Sequence, residues 1–400
     1  MSSNINQEDM KKKRIMAYER ANGDIGIRNH ILVLPTVICS VHVAKEIANA
    51  FSDNQCIYIT HEHGCSQLGI DFEQTKKTLL GTALNPNVFA VLLIGLGCEN
   101  CSANEYAKII QNCGKENVSY LSIQEEGGTL NTIKKGKKII KEFLFKKNKS
   151  KRKLYSLENI IMGTECGGSD AFSGITANII LGLVADKLVE LGATVILSEV
   201  NEFIGAEHIL KKRAINEMVK KQIGYIVQKA EKTSMDLGVD MIGSQPGPGN
   251  ISGGISTIEE KSLGCIKKGG STPIVHVYKY AQKIKHHGLC IMDTTGDDVR
   301  SLTGMAAGGC QLAVFTTGRG SPVGSPIIPV IKVSSNTKVY INMRENTDFD
   351  AGGIIDNNEE PIQLAESLFQ KVLNIINGEE TNSEKLHHTE FAIDRIAPCV

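Results

Sequence analysis

Cys65, Cys98 and Cys166 each follow a short apolar run, with glycine close by and a carboxylate or imidazole within a few residues. The three stretches read His61-Glu62-His63-Gly64-Cys65, Gly95-Leu96-Gly97-Cys98-Glu99 and Gly163-Thr164-Glu165-Cys166-Gly167-Gly168-Ser169-Asp170. Glycine lets backbone approach a bound group closely. Thiolates are soft ligands that suit iron or an iron–sulfur cluster. Three of them would leave a further iron position open to a substrate oxygen, which the metal polarises as a Lewis acid. The expected cofactor is therefore iron, as Fe2+ or as a cluster with one open iron position, held by Cys65, Cys98 and Cys166. The competing reading of a free cysteine is a small buried hydrophobe. It is preferred for Cys39, Cys56, Cys113, Cys265, Cys290 and Cys399. The Cys98-x-x-Cys101 spacing alone is compatible with zinc, a redox pair or chance.

Other side chains offer charge for an acidic substrate. Arg319 lies between glycines in Thr316-Thr317-Gly318-Arg319-Gly320-Ser321, poised for bidentate carboxylate recognition or equally a turn arginine in solvent. Arg28-Asn29-His30 could supply a second anion contact ahead of a strand. Asp293-Thr294-Thr295-Gly296-Asp297-Asp298 follows another strand, and Glu199, Glu202, Glu207 and His208 form an acidic segment. At helical spacing that segment reads as readily as a solvated face. No G-x-G-x-x-G follows the first strand, no G-x-x-x-x-G-K-[ST] occurs and no G-x-S-x-G is present. Nucleotide binding and serine hydrolysis therefore have little support.

The elements that must position these residues alternate. Apolar runs at 30–35, 55–61, 89–94 and 118–123 read as strands, with amphipathic stretches at 41–51, 72–84, 104–113 and 129–145 as helices. The pattern restarts with strands at 159–163, 194–198, 289–293, 312–316 and 328–333. Helices are expected at 175–191, 206–219, 223–237, 256–268 and 299–307, and residues 243–254 as a loop. Continuous apolar strands between helices argue for an α/β protein of two Rossmann-like domains, with mainly parallel sheets covered by helices on both faces. In such sheets ligands bind beyond the carboxyl ends of the strands, where the three cysteine stretches fall. Cys310 precedes a strand and belongs nearer the opposite edge. The expected division is a disordered tail over 1–17, an N-terminal α/β domain over 18–150, a C-terminal catalytic α/β domain over 155–378 and a loosely held tail over 379–400. The lysine-dense stretch ending at Lys153 reads as a solvated helix end and linker.

Composition excludes some partners. Lys and Arg number 44 against 44 Asp and Glu, so no net positive charge calls for nucleic acid or a membrane surface. No apolar run reaches the ~20 residues of a spanning helix and no signal-peptide pattern opens the chain. A soluble cytoplasmic protein is expected, where eleven cysteines are not a disulfide framework.

Taken in order, Gly26-Ile27-Arg28-Asn29-His30 with Leu34-Pro35-Thr36, His61 to Gln67, Gly95 to Glu99, Gly163 to Asp170, Glu207-His208, Pro248-Gly249-Asn250, Glu260 to Gly264, Lys268-Gly269-Gly270 and Thr316 to Gly320 form a set. This set resembles the large catalytic part of the altronate/galactarate dehydratase family, which also includes the large subunit of sulfolactate sulfo-lyase. The resemblance runs from about Tyr18 to Ile355. It implies an iron-dependent hydro-lyase converting a sugar acid such as altronate or galactarate to a 2-keto-3-deoxy acid. Sulfite release from (2R)-sulfolactate is the alternative within the family. A non-catalytic sugar-acid-binding protein and a metal-dependent hydrolase are readings from other classes. In the expected mechanism a base removes the α-proton and the β group leaves. His61 is the first choice for base or acid, with Glu99, Glu165 and Asp170 as rivals. Arg28, His30, Ser169 and Arg319 are expected to bind the substrate. Family members often carry a small N-terminal domain or a separate small subunit. With a first strand expected near His30, this chain is read as a large subunit needing a small partner, or dispensing with one, and as a homo-oligomer.

Overall fold

The computed structural model describes residues 14–51 and 56–397. Strands β1 (Arg14–Glu19) and β2 (Ile25–Gly26) pair antiparallel. Next, β3 (His30–Pro35), β4 (Cys56–Tyr58), β5 (Val88–Gly95) and β6 (Val118–Ser122) form a parallel sheet in the order β4-β3-β5-β6. Strand β7 (Lys153–Ser156) returns to pair antiparallel with β1. The remaining strands are β8 (Ile161–Cys166), β9 (Thr194–Leu197), β10 (Ile274–Tyr278), β11 (Gly288–Met292), β12 (Leu312–Thr317), β13 (Val330–Ser334) and β14 (Phe349–Asp350). They form a second parallel sheet in the order β10-β11-β9-β8-β12-β13-β14. The protein is thus a mixed α/β fold built on two parallel sheets flanked by helices.

Helices cover both faces of each sheet, so the strands carry apolar side chains on both sides. In β3, Ile31 and Val33 face a core shared with Val43, Ile47, Ile140 and Phe143. Its Leu32 and Leu34 face another with Leu79, Tyr106 and Ile110. Strand β11 divides likewise: Leu289 and Ile291 enter the core beneath the helices Ala177–Glu190 and Pro361–Ile376, while Cys290 and Met292 enter the core that also holds Leu32 and Leu34. One apolar core therefore touches both sheets. Each fully buried aliphatic side chain stabilises by about 1.5–3 kcal/mol, and β5 buries all but one of its residues.

Strand order reverses between β3 and β5 in one sheet and between β8 and β12 in the other. Loops leaving the two strands at such a point part in opposite directions and open a crevice.

Several expectations are corrected. Residues 1–13 of the expected tail lie outside the described residues, but Arg14–Glu19 is strand β1, and its Ile15 and Ala17 are wholly buried. The first strand is therefore not the one at His30. The residues expected to be a solvated linker include Arg152, which donates to the carbonyls of Met16 (2.7 Å), Ile27 (2.7 Å) and Ile376 (2.9 Å). The expected loose tail is also packed, with Phe391 and Ile393 in the shared core. Residues 243–254 hold a short helix, Pro248–Ser252, with proline in its first turn, where its missing N–H costs nothing.

Candidate active site

The crevice beside β3 and β5 receives the first two cysteine stretches. Asn100 Nδ2 donates to the carbonyls of Cys65 and Gln67, both at 3.0 Å, tying the loop after β5 to the one after β4. Cys65 and Cys98 are exposed there. Glu99 is folded back: Thr36 Oγ1 donates to its Oε1 (3.0 Å) and the Gly97 N–H to its Oε2 (2.6 Å). His61 is buried, with Nε2 on the Pro35 carbonyl (2.9 Å) and Nδ1 accepting from the His63 N–H (3.2 Å). Burial pushes its pKa down to about 4 against the Pro35 bond. Both ring nitrogens are thus occupied and the ring is neutral, which leaves His61 no free nitrogen to act as base or acid.

The third stretch lies on the other sheet. Cys166 closes β8 and its sulfur meets residues from three further elements. Cys166, Glu199, Glu202 and Cys265 offer ligand atoms all within 4.8 Å of one another. The Cys166 thiol donates to Glu202 Oε2 (3.1 Å), and the Cys166 N–H to Glu199 Oε2 (2.9 Å). Glu199 follows β9, and Glu202 lies three residues on in the tight turn Val200–Phe203, a spacing that eclipses side chains in a 3-10 helix. Cys265 ends the helix Ile258–Cys265, capped by Thr257. Lys261, one turn earlier, is on the same face and pairs with Glu202 at 2.8 Å. Lys268, fully buried in the next turn, pairs with Glu199.

A second group of ligand atoms within 4.8 Å joins Glu165, Glu199 and Asp298. Glu165 Oε2 accepts from Ser198 Oγ (3.1 Å) and Ser301 Oγ (2.5 Å), while its Oε1 is buried without a partner. Asp298 opens the helix Asp298–Gly308, which Asp297 caps. Gly167 is required here, because a Cβ on it would lie 2.3 Å from Asp298 Oδ2.

The charges are strongly perturbed. Burial, and then the neighbouring Glu199, hold the Glu165 carboxyl well above its ordinary range. The Cys265 thiol, burial and the adjacent carboxylates do the same for Cys166. Burial also raises Glu199, against the pull of Lys268. Asp298 is pushed up to about 7 by burial and by Glu199 and Glu202. Glu202 goes the other way: burial opposes it, but Lys261 and Lys268 hold it low and ionised.

The expected sulfur trio does not form. Among the described residues, no group of three or more metal-ligating atoms within 4.8 Å includes Cys65 or Cys98. Every one of these cysteines is at a strand's carboxyl end, but the ends belong to two sheets. Cys265, read from the sequence as core, takes their place. Of the four acid–base candidates only Glu165 joins the cluster. Asp170 is consumed in bracing the loops after β8, β12 and β13, accepting from the Ser173 N–H and Oγ (both 2.8 Å), Ser335 Oγ (2.7 Å) and Asn336 Nδ2 (2.9 Å). Arg28 is corrected for the same kind of reason. Its five N–H groups go to Glu384 (2.6 and 2.9 Å) and to the carbonyls of Ile27, Ile375 and Glu379, so none is left for a substrate. His30 opens β3 at the edge opposite the loops. Arg319 is exposed beyond β12, its NH1 on Ser252 Oγ (2.7 Å) and its Cβ beside Gly168. The carbonyl of Ser169 accepts from Asn250 (2.9 Å).

The residues fit a metal ion. Two thiols and two carboxylates at one point, all but Glu202 buried, are a mixed soft and hard donor set. The sequence signal for the missed members was the run Lys261, Cys265, Lys268, spaced four and three along a helix and the tight turn that follows it, ahead of Gly270.

Comparison with known proteins matches residues 157–399 to the family described as D-galactarate/Altronate dehydratase, C-terminal. Residues 17–148 match D-galactarate dehydratase/Altronate hydrolase, second domain. The altronate dehydratase of Bacillus subtilis (strain 168) is 35% identical over 96% of this chain and 78% of that protein. The (2R)-sulfolactate sulfo-lyase subunit beta of Chromohalobacter salexigens is 33% identical over 97% of this chain and 99% of that one. The galactarate dehydratase (L-threo-forming) of Escherichia coli (strain K12) is 34% identical over 80% of this chain and 63% of that protein. Among the described residues no helix is long and apolar enough to cross a membrane.

Proposed function

Because the chain belongs to the D-galactarate/altronate dehydratase family and is a lyase, we propose that it removes water from a sugar acid of the altronate or galactarate type. The α-proton and the β-hydroxyl leave together as water, and the resulting enol tautomerises to a 2-keto-3-deoxy acid. The observation that carries this reading is the convergence of Cys166, Cys265, Glu199 and Glu202 where β8 and β9 end. We read both sheets as Rossmann-like, since each reverses its strand order beside its first strand.

Iron is assigned to Cys166, Cys265 and Glu199, in place of the trio expected from the sequence. Bound there it would act as a Lewis acid on the substrate's carboxylate and hydroxyl oxygens. Glu202 is ionised and less deeply buried than Glu199, and is the proton acceptor. Lys261 and Lys268 offset the negative charge of the cluster. Arg319 meets a substrate carboxylate at the entrance, a bidentate geometry that lysine cannot supply.

A second reading takes (2R)-sulfolactate as substrate with sulfite as the leaving group. The match over nearly the whole of a sulfolactate sulfo-lyase subunit beta favours it, and that protein's name supports a partner polypeptide for this chain. One experiment separates the readings. Protein purified without oxygen is assayed for 2-keto acid and for sulfite with altronate, galactarate and sulfolactate, and its iron is measured. Cys265→Ala is expected to lose iron and turnover, and Glu202→Gln to keep iron and lose turnover. Full activity in a colourless, metal-free protein would overturn the assignment.

A further inference from the structure

We propose that the cluster holds a second divalent cation, in an all-oxygen position formed by Glu165, Glu199 and Asp298, with Glu199 shared between this position and the iron. The inference builds on the iron assignment above, and the residues it adds to it are Glu165 and Asp298.

Glu165 carries the argument. It is wholly buried, and two hydroxyls fill Oε2 while Oε1 has no partner. Its carboxyl lies against Glu199 and Asp298, with one ligand atom of each within 4.8 Å of the others. Three carboxyl groups converge there in a dry site, and a buried carboxyl oxygen that no protein group meets is the hard donor that a cation between them would take up. The bare backbone at Gly167 keeps the approach to Asp298 clear.

The two positions differ in ligand chemistry. Sulfur on one side selects iron, whereas three carboxylates select a hard cation of the magnesium or manganese class.

The test uses the full chain, stripped with chelator, reloaded with Fe2+ without oxygen, then dialysed against Mn2+. Bound metals are counted by mass spectrometry and Mn2+ is followed by electron paramagnetic resonance. The wild type should hold one iron and one manganese per chain. Glu165→Gln and Asp298→Asn should each keep iron and bind Mn2+ at least tenfold more weakly; either suffices if the other fails to fold. Cys265→Ala should lose iron yet keep Mn2+. A wild type that takes up no Mn2+ overturns the second position, as do the two carboxylate variants binding Mn2+ like the wild type. Undiminished iron in Cys265→Ala instead overturns the iron assignment alone.

Discussion

At Glu199 the backbone turns left-handed, with φ of 67°, a conformation that costs a non-glycine residue of order 1–3 kcal/mol. The turn delivers its carboxylate back under Cys166, where it accepts from the Cys166 N–H at 2.9 Å, while the Glu199 N–H donates to the Thr294 hydroxyl at 2.8 Å. None of this was legible in a sequence where Glu199, Glu202, Glu207 and His208 look like one helical face. Cys265 was nearly as hidden, because its local mark was no more than the flanking Lys261 and Lys268, and only the fold brings it to β8. What the sequence did reveal was Cys166 and its glycines, since the close approach that Gly167 permits is a backbone requirement. The sequence also placed Arg319 between glycines at a strand exit, and it is exposed beyond β12; a substrate-binding role for it is a proposal. Its removal is expected to weaken substrate binding more than chemistry. A charge-assisted hydrogen bond is worth about 1.5–3 kcal/mol, reduced by exposure, so Arg319→Ala should raise KM about tenfold with a smaller change in kcat. Steady-state kinetics check this, and an unchanged KM would remove Arg319 from the site.

At the scale of elements, the helices Gly69–Leu84 and Asp298–Gly308 cross at Gly81, where an added Cβ would come 2.2 Å from the Ala307 carbonyl oxygen. Two effects compete there. Alanine gains about 1 kcal/mol over glycine in a helix, whereas overpacking costs about 1–3 kcal/mol or more. Backbone on the far side cannot yield as a side-chain tip can, so Gly81→Ala is expected to destabilise by about 1–2 kcal/mol. It should also lower turnover, because the second helix begins at Asp298. A urea melt and an activity assay on one preparation test both. The doubly covered strands were readable as unbroken apolar runs, β5 above all. Strands β1 and β10 were not. Strand β1 alternates buried and exposed residues in the manner of a polar tail, and β10, at an edge, interrupts its apolar run with His276. An edge strand such as β10 faces solvent on one side, and β1 lies between two short strands, one of them distant in sequence, so periodicity read without partners misses both.

At the scale of the whole molecule, Arg28 and Glu384 form a buried ion pair that joins the start of the first sheet to the chain's last described segment. Burial raises the Glu384 carboxyl and Arg28 more than offsets this, leaving it below its ordinary value. Removing one partner of such a pair costs about 3 kcal/mol. Arg28→Ala should therefore lower thermal stability by that order while KM stays unchanged, and a raised KM without lost stability would restore its reading as a substrate clamp. Acid should loosen the fold through other groups. His61 and His63 are held neutral by burial, with pKa pushed below the ordinary 6.5, to about 4 for His61. The unfolded chain binds these protons first, so the stability they confer is complete above about pH 6.5. For His61 it drains away as pH falls toward 4, at about 1.4 kcal/mol per pH unit, and His63 adds to the loss in the same direction. Urea midpoints at pH 7.5, 6 and 5 measure the slope, and a flat profile would contradict it. The same end segment touches distant parts of the chain in turn. Asn377 accepts from the Met16 N–H at 2.8 Å, Asp71 accepts from the N–H of Ile396 at 2.8 Å and from Arg395 at 2.9 Å, and Gln74 donates to the Asp394 carbonyl at 2.8 Å. A ribosome making this protein releases both sheets before it releases the strap that fastens them. Until residue 396 emerges, a nascent chain holds its cluster of thiols and carboxylates but not its clasp, and order of synthesis thereby becomes order of assembly.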